Sequence, residues 1–125
     1  MPRNMSFSMT TEAVRNRTKT VTRRLGWGNL KPGDLLWAVE QGMGLKKGEK
    51  VKRLGLIRVV SVMQEDIYDV MDYGQDEMVR EGFPSLTPGG FWEMFLRANG
   101  WLRSHTLLHP VNRIEFEYVD EEVTP

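Results

Sequence analysis

The chain has no cysteine, which excludes disulfides, thiolate metal sites and a cysteine nucleophile. No apolar run approaches the roughly 20 residues that a membrane-spanning helix needs. Phosphate-cradling glycine loops of the GxxxxGK[ST] and GxGxxG kinds are missing, and so is GxSxG around a serine. Histidine is scarce: His105 and His109 are the two in the chain. Their spacing would bring two imidazoles together on a helix, but Pro110 and the lack of nearby cysteine or carboxylate ligands argue against zinc. The opening residues, MPRNMSFSMTTEAVRNR, have no apolar segment behind their charges, so a secretory signal is not expected. These absences describe a soluble, cytoplasmic protein with no membrane partner, no metal and no cofactor.

What is present suits one globular domain spanning residues 1–125, with 40% apolar residues and four tryptophans. The formal net charge is zero, yet the charges are segregated. Before Gly33 stand Arg3, Arg15, Arg17, Lys19, Arg23, Arg24 and Lys31, against Glu12 alone. From Gln64 to Glu81 the balance reverses, with Glu65, Asp66, Asp69, Asp72, Asp76, Glu77 and Glu81 facing Arg80. Two readings stand side by side: a positive face for an anionic ligand, or charges that pair with each other inside the fold.

Alternation of apolar and polar residues predicts strands at Met5–Met9, Lys19–Arg24 and Asn112–Val119, while Leu35–Glu40 reads as a buried strand and Val51–Met63 as a long one. Gly55 is expected to mark a bulge or a close approach. Thr10 or Thr11 caps a short helix over Glu12–Arg17, and the Lys-Pro-Gly-Asp turn at Lys31–Asp34 leads into the third strand. Asp66–Tyr73 and Asp76–Glu81 read as short helical turns. Thr87-Pro88 starts a longer helix carrying Phe91, Trp92, Phe95 and Leu96, and Asn99-Gly100 ends it. Strands with two or three helices between them favour a small mixed-topology barrel of the α+β class over a parallel sheet.

The segment TKTVTRRLGWGNLKPGDLLW carries the chemistry. Lys19 and Thr22 supply an amine and a hydroxyl three residues apart, which a regular strand places on opposite faces. They need a turn or bulge between them to cooperate. For Lys19 to act as a base, burial or the cations Arg15, Arg17, Arg23 and Arg24 must lower its pKa. The plain alternative is that the cations are surface charges and the threonines pack in a strand. Glu81, beside Gly82 in REGFPSLTP, would by itself pass for a solvated turn residue.

The runs RTKTVTRRLGWGNLKPGDLLWAVE, GLKKGEKVKRLGLIRVVSV and EGFPSLTPGGFWEMF occur in the order and spacing of an ASCH domain, a member of the PUA-like superfamily. The chain resembles that family from about Ser6 to Tyr118. The resemblance implies a small PUA-like β-barrel flanked by two or three helices, with RNA or a modified nucleoside as partner. Some bacterial ASCH proteins are amidohydrolases that deacetylate N4-acetylcytidine with a lysine, a threonine and a glutamate. Their Lys-Thr-x-Thr motif matches Lys19, Thr20, Val21 and Thr22, and their glutamate matches Glu81. By that likeness Lys19 takes the proton of Thr22, whose oxygen attacks the amide, while Glu81 protonates the leaving amine or holds the substrate. Arg17, Thr20, Arg23 and Arg24 would hold the ligand or its oxyanion, and Trp27, Trp37 or Phe83 would stack on its base. The extended EGFPSLTPGGFWEMF block and the doubled arginine look more like the ASCH proteins of phages. The alternatives are a nucleic-acid-binding module without chemistry and a protein-interaction module using the acidic stretch from Gln64 to Glu81.

Overall fold

Five of the expected strand segments pair into a single sheet, in a computed structural model that describes residues 2–41, 46–103 and 108–120. The strands are β1 (Arg3–Ser6), β2 (Val21–Arg24), β3 (Leu35–Val39), β4 (Arg53–Asp66) and β5 (Pro110–Val119), in the order β1-β3-β4-β5-β2. β1 runs parallel to β3, and every other pairing is antiparallel. The long strand β4 carries two register shifts. Opposite Ala38 and Val39 it passes from Gly55 to Arg53, leaving Leu54 as an extra residue beside the glycine expected to mark a bulge. Opposite β5 it leaves Val60 extra between Val59 and Ser61. An extra residue bends a strand and increases its twist, so the two shifts curl the sheet into a half-barrel.

Side-chain alternation then builds two cores. Met5, Leu36, Ala38, Ile57, Val59, Ile114 and Phe116 point into the curl and pack with Phe7, Val14 and Leu30. On the outer side, Val111 joins Ile67, Val70, Met78, Phe91 and Leu96. The start of β5 is therefore buried on both faces, which alternation alone did not predict: Val111 and Arg113 lie opposite to Ile114 and Phe116, and all four are buried.

Among the described residues three α-helices and a 3-10 helix complete the fold, namely α1 (Thr11–Arg15), the 3-10 helix Ile67–Asp72, α2 (Gln75–Glu81) and α3 (Pro88–Ala98). Thr87 caps α3 by accepting from the Gly90 amide at 3.0 Å, with Pro88 just inside the helix, as the sequence predicts. Asp66 caps the 3-10 helix in a reciprocal capping box with Asp69.

Several boundaries differ from expectation, β4 running over Arg53–Asp66 rather than Val51–Met63 and β5 starting at Pro110 rather than Asn112. β1 starts and ends earlier, because Ser6 is its last residue in register with β3, and Met9 is left 66% exposed. α1 ends at Arg15 rather than Arg17, since Arg17 turns to φ +60°. Neither Thr10 nor Thr11 caps that helix through its side chain; the Thr11 hydroxyl donates to the Phe7 carbonyl at 2.9 Å. β2 begins only at Val21, which places Lys19 on the turn before the strand.

The edges β1 and β2 do not pair with each other, so the expected barrel is a half-barrel open along one side. A side chain spans that seam, where Arg24 Nη2 donates to the Ser6 carbonyl. Among the described residues no helix is long and apolar enough to cross a membrane. His105, the middle of the Gly- and Lys-rich segment, and the acidic tail beyond residue 120 lie outside the described residues.

Candidate functional site

A cleft of about 320 Å³ opens at the seam. The chain after β1 (Ser6 to Thr10) forms one wall, the turn and strand from Lys19 to Leu25 form the floor, and α3 closes the far side. The end of α2 contributes Glu81 and, just beyond, Phe83. Lys19, Thr22 and Glu81, distant in sequence, thus line one cavity.

Lys19 escapes the strand alternation that would have parted it from Thr22. Its carbonyl accepts from the Tyr118 hydroxyl, and its neighbour Thr20 is tied by its amide to the Arg80 carbonyl and by its carbonyl to the Phe116 amide. Those bonds fix the turn, and the Lys19 side chain runs inward until it is 2% exposed. Its Nζ donates to the Glu81 carbonyl and to Glu81 Oε1 at 3.0 Å. Burial lowers the pKa of Lys19, the Arg24 and Arg23 charges lower it further, and Glu81 opposes them without prevailing.

Glu81 is delivered by the end of α2. The helix closes with Gly82 at φ +90°, and the amides of Gly82 and Phe83 reach back to the carbonyls of Val79 and Met78 in a Schellman arrangement. A side chain at this position would put its Cβ 3.0 Å from Thr10 Cγ2 and 3.1 Å from Ala13 Cβ. Glycine is required here for conformation and for space.

Behind Glu81 lies a buried ion network. Thr22 pairs with Ile114 and Arg23 with Arg113 across β2 and β5, so Thr22 belongs to the inner face and both arginines to the outer face under α2. Glu77 and Glu81, four residues apart, share one side of that helix and meet them. Arg23, with no side-chain exposure, donates to Glu81 Oε2 at 2.9 Å, Glu77 Oε2 at 2.7 Å and Glu65 Oε2 at 3.3 Å. Arg113 donates twice to Glu77, at 2.8 and 3.0 Å. The Tyr73 hydroxyl donates to Glu65 Oε1 at 3.0 Å, and its ring covers the guanidinium of Arg23, 4.9 Å from the centroid. Burial by itself would depress the pKa of Arg23, but Glu81, Glu65 and Glu77 raise it above the ordinary value.

Thr22 is 4% exposed, and its Oγ1 accepts from Arg24 Nε at 3.0 Å. Burial brings the pKa of Arg24 down to about 10, with Glu81 opposing. No direct hydrogen bond joins Lys19 Nζ to Thr22 Oγ1 among the described residues; the two groups share the cleft at longer range.

Of the expected binding residues, Arg23, Arg24 and Phe83 line the cleft and four others do not. Arg17 pairs with Asp120 at 3.2 Å and lies over the Tyr118 ring. Thr20 is held by backbone bonds at the back of the turn. Trp27 is covered by Arg3, and Trp37 by Arg53 at 4.1 Å. Part of the segregated charge also pairs within the fold, Arg15 taking Glu12 and Glu40 in addition to the pairs above. Sequence reasoning passed over Glu65, Glu77 and Arg113. The usable signals were the four-residue spacing of Glu77 and Glu81 and a cation inside the alternating strand NRIEFEYV. Among the described residues no cluster of His, Asp or Glu is arranged to hold a metal ion.

No protein-family model and no curated protein sequence matches the chain. Among solved structures it is similar to the crystal structure of hypothetical protein PH0355. The two agree with a TM-score of 0.61 over 95% of this chain and all of that one, at 13% sequence identity. At that identity the likeness speaks to the fold alone: a known α+β architecture around a curled sheet.

Proposed function

We propose that the chain is an ASCH-type, PUA-like domain acting in the cytoplasm, and that its cleft hydrolyses the amide of an N-acylated cytosine nucleoside such as N4-acetylcytidine. The observation that carries this reading is a lysine buried against Glu81 in the same cleft as a threonine hydroxyl polarised by Arg24. Burial makes neutral Lys19 accessible, which a base requires. The Arg24 bond favours the threonine alkoxide over the hydroxyl. A cleft of this volume lies at the small end of the roughly 300–1,000 Å³ range of ligand sites, which suits a nucleoside better than a polymer.

In the proposed reaction Thr22 Oγ1 bonds to the amide carbonyl carbon as its proton passes to Lys19 Nζ. The C–N bond then breaks, Lys19 returns the proton to the exocyclic nitrogen, and cytidine leaves as the free amine. Water attacks the threonine ester and releases the carboxylate, restoring the hydroxyl. Glu81 accepts from both Lys19 and Arg23, so it orients the base, and the proton donor to the leaving amine is Lys19. In this reaction Arg24, bonded to Thr22 Oγ1, stabilises the oxyanion.

A second reading, nucleic-acid binding without chemistry, is favoured by the missing bond between Lys19 and Thr22. It needs unpaired cations for phosphates, whereas Arg17 and Arg23 already hold carboxylates. Hydrolysis of N4-acetylcytidine, followed by chromatography for wild type and Lys19→Ala, separates the two. The hydrolase reading expects turnover that falls about 10²–10⁴-fold in the variant. No turnover by wild type, together with tight and salt-sensitive RNA binding, establishes the second reading instead.

A further inference from the structure

Helix α3 turns an unusual face to the cleft. Phe91, Met94, Phe95 and Ala98 recur at positions i, i+3, i+4 and i+7, and together they line the cleft across from the segment Ser6, Phe7, Ser8, Met9 and Thr10. A stripe at this spacing ordinarily disappears into a core. Here only Phe91 is fully buried, while Met94 and Phe95 are half-buried and Ala98 is exposed. Phe83 extends the wall toward the floor, its ring packed edge-on against Phe91 with centroids 5.7 Å apart. From Phe91 to Ala98 the stripe rises about 10 Å along the helix axis. The cleft thus has a mixed wall in which Phe7 and Met9 alternate with hydroxyl side chains, a reactive floor and a long apolar wall.

A carbonyl carbon at Thr22 Oγ1 must send its two substituents in different directions. The cytosine nucleoside is rich in hydrogen-bonding groups and suits the side of the cleft that offers Ser6, Ser8 and Thr10, where Phe7 and Met9 stand between the hydroxyls. The acyl group is left with the α3 stripe, and an acetyl methyl would cover little of it. We propose that the preferred substrate carries a longer or aromatic acyl chain, six carbons or a benzoyl ring in scale, lodged along Phe83, Phe91, Met94 and Phe95. This rests on the hydrolase reading for the identity of the polar half, while the apolar wall stands on geometry. Each buried methylene strengthens binding about fourfold, so a hexanoyl chain outranks acetyl by at least tenfold after ordering costs.

The test has two parts. Calorimetry compares N4-ethylcytidine with N4-hexylcytidine, neither of which has an amide to cleave. Chromatography gives kcat/KM for N4-acetyl-, N4-hexanoyl- and N4-benzoylcytidine. Both are repeated in Ala98→Trp, which fills the far end of the wall from an exposed position. The expected result is at least tenfold tighter binding of the hexyl compound, with the hexyl-to-ethyl ratio collapsing toward one in Ala98→Trp. That result without turnover of any acyl compound supports the apolar subsite and refutes the hydrolase reading alone. Equal binding of the two alkyl compounds, or a kcat/KM highest for acetyl, overturns the inference and leaves the hydrolase reading standing. Failure of all these compounds to bind overturns both.

Discussion

Replacing Glu77 by Gln tests the buried ion network most directly. Glu77 accepts one hydrogen bond from Arg23 at 2.7 Å and two from Arg113 at 2.8 and 3.0 Å, all within buried structure. Lys19, Arg23 and Arg113 are there matched by Glu65, Glu77 and Glu81; neutralising one carboxylate leaves an excess positive charge out of water. Breaking a buried pair costs about 3–5 kcal/mol. Glutamine keeps one carbonyl acceptor, worth about 1 kcal/mol, and the half-exposed Glu115, 3.6 Å from Arg113, relieves a little more. The expected loss is therefore about 2–4 kcal/mol, read by urea unfolding with an unchanged m-value, or as a Tm fall of roughly 10 °C. The pH dependence has a definite sign. Burial pushes the Glu77 carboxyl up, but hydrogen bonds from Arg113 and the charge and hydrogen bond of Arg23 bring it below its ordinary 4.5. Its stabilisation is present in full above pH 4.5 and is lost as pH falls through the lower folded-state value. The gap between wild type and variant must close in acid. A loss under about 1 kcal/mol near pH 7, or a gap that widens in acid, would refute the network as a stabilising unit.

Three further outcomes follow from the site. If Lys19 is the base, kcat/KM for an acylcytidine rises with pH to a midpoint below the ordinary lysine value of 10.5, and Lys19→Arg abolishes the limb; a midpoint at or above 10.5 removes Lys19 from that role. The same shift makes the folded state hold fewer protons than the unfolded one, so the burial cost of Lys19 is relieved as pH climbs toward 10.5, which urea unfolding across that window measures. Gly82→Ala forces an L residue to φ +90° and its Cβ to 3.0 Å from Thr10. It should cost about 1–3 kcal/mol and reduce turnover by displacing Glu81, and an unchanged unfolding midpoint would disprove the cap's role.

Elements governed by local chemistry were legible in the chain. Thr87-Pro88 and Asn99-Gly100 delimit α3 because capping and proline geometry act over four residues. The strands β3, β4 and β5 and the bulge beside Gly55 were legible for the same reason. The short segments around α1 were not, since their ends are set by register with β3 and by the positive φ of Arg17. Lys19 reads as a strand residue in the sequence because nothing local says that its neighbour Thr20 bonds to Arg80 and Phe116 instead.

The sequence alone determined that this is a mixed α+β chain with a Lys-Thr-x-Thr segment and charges of opposite sign in separate stretches. Only the tertiary structure decided what those charges do. Arg23 reads the same in either role, but folding carries it against Glu65, Glu77 and Glu81, more than forty residues away in each case. A side chain's charge is a property of its residue. Its desolvation and its partners are properties of the sheet pairing that sets Arg23 beside Arg113 beneath α2, and those decide whether a cation holds a ligand or holds the fold.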